Sequence, residues 1–211
     1  MMNRMLRWFR LILAAAWAGG CVLTAQVIRF ESGGLEYQTL SRNGVTIMFA
    51  HLPMQVREYS IVQAAVSNGS EAACTVQPEM FAFRFPDGRE VRAGSAESVI
   101  NNLLNRASRT DVIRLVSTYE ISLYGLSRFR STNGYEQRRQ AAQAALAPTK
   151  LSAAAAASAI AFVETKLKPG ESTDGALFFP ARGRPLEGSR MVVEACGQQF
   201  EFEPEPPSSS R

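Results

Sequence analysis

The hydrophobic period of this chain changes twice, and that limits the folds open to it. From Leu35 to Ala93 the apolar residues fall at strand spacing, where successive side chains alternate between two faces. From Ser95 to Ala161 they recur at helical spacing, three and four residues apart. From Phe162 to Glu203 strand signals return. Strands, a long helical excursion and strands again predict one β-sandwich with an insertion, or two sub-domains. About 185 residues remain once the first 25 are set aside, enough for one good core.

The first strand block opens with a hairpin signal. Leu35 to Leu40 (LEYQTL) and Val45 to Ala50 (VTIMFA) flank Asn43-Gly44, a pair suited to tight β-turns. Tyr59 to Val66 is a strand that stops at Ser67-Asn68-Gly69-Ser70. Cys74 to Phe85 reads as another, with Met80 and Ala82 on one face and Phe81, Phe83 and Phe85 on the other. Pro78 cannot donate to a ladder, so it predicts an edge position or a bulge. Asp87-Gly88 turns the chain into Glu90-Val91-Arg92.

The excursion over 95–161 predicts a bundle of three to four helices. Ser95 is the expected N-cap of the first, whose stripe is Val99, Ile100, Leu103 and Leu104. The second runs from near Thr110 to Gly125, and the third from Tyr135 to Ala147, stopped by Pro148. Leu151 to Ala161 is nearly all alanine, the strongest helix former, but one that buries little area. Strands then follow over 162–167, 176–179, 191–195 and 198–202. Pro169-Gly170 and Asp174-Gly175 both read as turns between them. Glu171 and Asp174 are too few carboxylates for calcium, which takes six to eight oxygens.

The chain ends carry the compartment reading. Arg4, Arg7 and Arg10 precede an apolar run from Leu11 to Ala18, the layout of an export signal over 1–25. Two processing sites compete: Ala25 before Gln26, and Ala18-Gly19-Gly20-Cys21, which resembles a bacterial lipobox and would place a lipid on Cys21. A retained N-terminal anchor is the third option. Removing the leader takes the net charge from +4 to about +1, so the basic balance is no argument for nucleic acid. Residues 204–211 are rich in proline and serine and predict a disordered tail. Cys74 and Cys196 are an even pair in an oxidising compartment. They read either as a disulfide or as two small buried residues.

Catalytic signatures are sparse. There is one histidine, His51, and a zinc site wants more ligands than that. The chain has no G-x-S-x-G, no P-loop and no G-x-G-x-x-G. Cys74 with His51 is a thiol–imidazole combination on paper, but nothing around Cys74 resembles a catalytic cysteine motif. Asn68-Gly69-Ser70 matches a glycosylation sequon, and a β-turn explains it. No catalytic residue, metal ligand or cofactor is assigned. Residues 84–150 hold eleven Lys and Arg against six Asp and Glu. Arg128, Arg130, Arg138 and Arg139 gather near Phe129 and Tyr135, a candidate surface for an anionic partner.

The runs YSIVQAAVSNGSEAACTVQPEMFAF, KLKPGESTDGALFF and MVVEACGQQFEF together resemble an immunoglobulin-like domain of bacterial envelope proteins. In such domains an Asn-Ser turn separates two strands, a Pro-Gly-Glu corner enters a late strand and a terminal hairpin closes the sheet. The resemblance covers about half the mature chain. It implies a mainly β fold: an antiparallel sandwich whose halves, 35–93 and 162–203, flank the helical insertion of 95–161. The expected role is that of an exported periplasmic or envelope protein, a non-enzymatic binding or structural module with a helical recognition insert. Its partner would be a protein or an anionic envelope component, not nucleic acid. Membrane contact would come only through an N-terminal lipid or an uncleaved signal. The alternative is a periplasmic assembly or chaperone-like factor using an exposed strand edge near Pro78. A secreted hydrolase is the third class.

Overall fold

The computed structural model describes residues 26–106, 108, 110, 113, 117, 158–181, 186 and 188–204. Eleven strands carry the architecture: β1 (Ile28–Ser32), β2 (Leu35–Arg42), β3 (Val45–Val56), β4 (Tyr59–Asn68), β5 (Cys74–Val76), β6 (Phe81–Arg84), β7 (Glu90–Arg92), β8 (Thr165–Leu167), β9 (Ser172–Phe179), β10 (Arg190–Ala195) and β11 (Gln198–Glu201). They form a five-stranded sheet in the order β1-β2-β3-β4-β9 and a four-stranded sheet in the order β11-β10-β6-β7. A two-stranded ribbon joins β5 to β8. Every pairing between named strands is antiparallel. Strands from both sides of the excursion pair in all three sheets: β4 with β9, β6 with β10 and β5 with β8.

The two large sheets share one interior. Ile47 and Phe49 of β3, Val62 and Val66 of β4, and Leu177 and Phe179 of β9 meet Phe81, Phe83, Val193 and Phe200 of the smaller sheet. Ring centroids of Phe83 and Phe179 lie 4.7 Å apart, and those of Phe49 and Phe202 4.9 Å, both edge to face. That geometry adds to simple burial. Alternate residues of the same strands point the other way. Tyr37, Ala50, Tyr59, Ile61 and Phe178 form a second cluster on the outer face of the five-stranded sheet. β4 is therefore buried on both faces over almost its whole length, which explains why its apolar residues fall on both faces and do not strictly alternate.

Helix α1 (Ala96–Arg106) covers that outer face. Ser95 caps it, its Oγ accepting from the Ser98 amide at 3.3 Å. Val99 and Ile100 pack into the outer cluster. Asn102 Nδ2 donates to Glu58 Oε1 at 2.9 Å and to the Tyr59 hydroxyl at 2.8 Å, fixing the helix to the turn between β3 and β4. Ile160 and Ala161, at the far end of the excursion, enter the same cluster.

The structure overturns the expected bundle of three to four inserted helices. More than half of the described residues lie in strands, and among them the two complete helices are α1 and a 3-10 turn at Pro78–Met80. The second, third and fourth predicted helices fall largely outside the described residues. The physical reason for the difference is competition for apolar partners. The outer face of the five-stranded sheet is apolar, and the Val99 and Ile100 stripe packs on it.

One of the two turn assignments also changes. Pro169-Gly170 does reverse the chain between β8 and β9, with Gly170 at φ 82°. Asp174-Gly175 does not. Both lie inside β9, opposite Ala65 and Ala64 of β4. Gly175 answers to a close approach instead. A Cβ built there would sit 2.4 Å from Phe162 Cα and 2.5 Å from Phe162 N. The exit of the excursion crosses β9 at this point, where Phe162 N donates to Ala176 O at 2.9 Å. A glycine inside a strand marks such crossings. Pro78 sits in the first turn of the 3-10 element and is buried, and β6 beyond it lies inside its sheet, between β10 and β7. The strand edge expected near Pro78 therefore does not fall in β6, whereas β5, which ends at Val76, has β8 as its one named strand neighbour among the described residues. Pro53 instead lies in the irregularity that shifts the β3–β4 register between His51 and Gln55, because proline brings no N–H to the ladder.

Candidate functional site

Cys74 and Cys196 form a disulfide, with Sγ atoms 2.05 Å and Cα atoms 5.1 Å apart. Cys74 opens β5, and Cys196 occupies the Cys196-Gly197 turn between β10 and β11 with φ 52°. The bond ties the β5–β8 ribbon to the smaller sheet across 122 residues of sequence. It suits an oxidising compartment and takes the Cys74 sulfur out of any thiol–imidazole pair. His51 lies in β3, its ring 5.2 Å from that of Phe83 and 5.9 Å from that of Phe49. The imidazole is wedged among aromatic rings at the end of the core.

The sequon is a structural knot. Asn68 is fully buried. Its Nδ2 donates to Ala72 O at 2.8 Å and Leu167 O at 3.2 Å, while Oδ1 accepts from Ser70 N and Ser70 Oγ. These bonds fasten the end of β4 to the β5–β8 ribbon and leave no room for a glycan. Among the described residues, no three His, Cys, Asp or Glu side chains gather as metal ligands, and no helix is long and apolar enough to cross a membrane. Cys21, Arg128, Arg130, Arg138 and Arg139 lie outside the described residues.

The described surface offers a different place for a ligand. An open cleft of about 360 Å³ lies along the seam between the two large sheets. On one side stands β7, the edge strand of the smaller sheet. On the other are Pro180 and Ala181, which follow β9. Phe85, Val91, Pro180 and Ala181 supply the apolar wall. Gly94 N donates to Phe178 O at 2.9 Å and closes one end of the seam, where the chain leaves β7 for α1.

Backbone parity along β7 follows from two hydrogen bonds. Phe85 N donates to Arg89 O at 2.8 Å, and Ala93 N to Phe81 O at 3.0 Å. In an antiparallel ladder the bonded pairs alternate, so Arg89, Val91 and Ala93 turn their backbone toward β6. Glu90 and Arg92 turn theirs toward the open edge. Charged side chains crowd the same hairpin. Glu90 binds Arg84 at 3.2 Å and Arg92 at 2.6 Å. Arg89 Nε donates to Asp87 at 2.5 Å while its guanidinium carbon lies 4.7 Å above the Phe85 ring. Three guanidiniums face two carboxylates, so the hairpin carries one surplus positive charge.

Arg89 also governs the Asp87 carboxyl. Its side-chain hydrogen bond, then its backbone N–H, hold that group below the ordinary value of 3.8. A depressed folded-state value contributes stability above the unfolded value and loses it as pH falls through the folded one. The window therefore lies below about pH 4. In an Arg89→Ala variant the Asp87 titration, followed by NMR, is expected to move part of the way back up. An unchanged midpoint would show that the guanidinium does not set it.

None of the cleft residues was singled out as a site from sequence. The Phe85–Arg92 run shows its arginines plainly, but Pro180 and Ala181 join it only through the packing of β9. Comparisons with known proteins add no assignment. No protein-family model matches the chain, and no curated protein matches it. One solved structure, the yjhA protein from Bacillus subtilis, is similar at a TM-score of 0.32 and 10% identity, covering 79% of this chain and 77% of that one. A likeness that distant carries no argument about fold or role.

Proposed function

We propose that this chain is an exported envelope protein with a non-enzymatic role, a β-sandwich scaffold that holds a partner protein at its seam. The observation that carries the reading is the Cys74–Cys196 bond, which favours a compartment outside the reducing cytosol. The arginine-led apolar leader of residues 1–25 is in keeping with it. Two of the buried polar side chains support a scaffold role, because they are engaged within the fold. The Tyr37 hydroxyl donates to Gln63 Oε1 at 2.7 Å, and Asn68 is fully engaged with its own ribbon. Kinship with immunoglobulin-like envelope domains belongs to the same proposal. Its supports are the Pro169-Gly170-Glu171 corner leading into β9 and the β10–β11 hairpin that closes the smaller sheet.

The test is the intact mass of the protein recovered from fractionated cells of its host. The expected species sits in the envelope or periplasmic fraction, lacks two hydrogens, and begins at Gln26 or at an acylated Cys21. A full-length, fully reduced species in the cytosol overturns the reading.

A further inference from the structure

Resting on that reading, we propose that β7 takes up an extended segment of the partner protein as an added strand of the smaller sheet. The partner segment places an apolar side chain in the seam cleft and a carboxylate beside Arg89. Three observations converge on this occupant. First, Glu90 and Arg92 present their backbone N–H and C=O groups outward, as the β6–β7 hydrogen bonds require. Among the described residues no strand pairs with that side of β7. Backbone groups arrayed in this way are satisfied by an incoming strand.

Second, the cleft opens beside Glu90, Val91 and Arg92 of the same strand. A residue directly opposite Val91 shares its face of the sheet, and Val91 lines the apolar wall together with Phe85, Pro180 and Ala181. An apolar side chain at that position of the partner enters the cleft. Third, the charge is one-sided. Arg89 precedes Val91 by two residues and so belongs to the same face. A carboxylate two positions along the incoming strand arrives at Arg89, which Asp87 already engages, on a hairpin whose three guanidiniums outnumber its two carboxylates. An acidic, apolar-alternating extended segment matches all three features. A basic segment meets like charge.

The occupant is thus chosen by backbone pairing plus charge, not by apolar area alone. The segment is short: β7 has three residues, so few ladder hydrogen bonds form. Binding of this size is weak and reversible, and specificity rests on the cleft and on Arg89.

The experiment uses the oxidised, full mature chain and two synthetic peptides of alternating Thr and Val. One carries Glu two positions from its central Val, the other Lys in that place. Hydrogen exchange of the Glu90 and Arg92 amides is followed by NMR during titration. The acidic peptide is expected to protect both amides and leave that of Val91 unchanged, since Val91 already bonds to β6. The Lys peptide is expected to bind about fivefold more weakly, the scale of one partly exposed ion pair. Arg89→Glu is expected to reverse the preference. Arg92→Pro, which removes an outward N–H at an edge position where proline is tolerated, is expected to abolish binding while the fold persists.

Absence of protection with either peptide overturns the proposal. So does equal binding of both peptides that survives Arg89→Glu. Protection of the two amides without peptide, with a concentration-dependent rise in mass, assigns the edge to a second copy and also overturns it. Binding to anionic vesicles with no change at Glu90 and Arg92 does the same. The recovered-mass experiment is independent of all these results. A protein that is exported yet ignores both peptides loses only the strand-addition proposal.

Discussion

Gly175→Ala is expected to lower stability by about 3 kcal/mol, read as a fall of roughly 10 °C in Tm for a domain of this size. A methyl group at that position meets main-chain atoms, not a flexible side chain: Phe162 Cα at 2.4 Å and Phe162 N at 2.5 Å. Relief requires β9 and the 161–162 segment to separate. That movement also lengthens the bond from Phe162 N to Ala176 O, now 2.9 Å. Phe162 would be dragged from the interior, where its ring lies 5.4 Å from that of Phe81. The sign of the effect is what makes the measurement informative. Glycine inside an uncrowded strand is a weakness, and alanine there gains about 0.5–1 kcal/mol. A neutral or stabilised Gly175→Ala protein would mean that the chain does not cross β9 this tightly.

Removing the disulfide is expected to have an effect of similar or larger size. The bond spans 122 residues, and on the chain-entropy model a loop of that order contributes about 4–5 kcal/mol. Cys196 has φ 52°, a region where asparagine is several-fold more at ease than most residues. The suitable variant is therefore Cys74→Ser with Cys196→Asn, which keeps backbone strain at the turn out of the comparison. Its urea midpoint should fall well below that of the parent. Dithiothreitol should lower the parent to match and leave the variant unmoved. A parent whose midpoint ignores the reductant would show that the ribbon is held by its hydrogen bonds alone. Asn68 is where those bonds concentrate, since it joins the end of β4 to Ala72 and Leu167.

Much of the β framework was legible because its signals are local. Val45 to Ala50 and Tyr59 to Val66 lie within β3 and β4, and Asn43-Gly44 turns between β2 and β3 with φ values of 44° and 81°. Met191 to Ala195 and Gln198 to Phe202 differ from β10 and β11 by one residue at an end. Ser95 caps α1 through its side chain. What escaped was non-local. Asp174-Gly175 has the letters of a turn, and only the crossing of Phe162 explains the glycine. Cys74 to Phe85 read as one strand, yet Pro78 breaks it into β5, a 3-10 turn and β6. β1 was missed, although Gly33-Gly34 marks its hairpin with β2. The seam cleft was illegible for the same reason: Val91 and Pro180 are brought together by two different sheets. The bundle expectation failed because periodicity reports that a helix has an apolar stripe. It does not report whether the stripe meets another helix or a sheet.

The moorings of the excursion have a consequence for how such a protein can diversify. Its entry point is held by Gly94 on Phe178 O and its exit by Phe162 on Ala176 O. Those two carbonyls are two residues apart on one strand, about 7 Å at strand rise. Whatever lies between 94 and 162 leaves and returns through the same narrow gate. Doubling the length of chain hung from a gate of fixed width costs only about 0.6 kcal/mol in closure entropy. Descent can thus graft, trim or rewrite the part of that stretch between residues 106 and 160 at little closure cost, as long as α1, Ile160 and Ala161 keep the outer face covered and the gateposts, Gly175 among them, stay as they are.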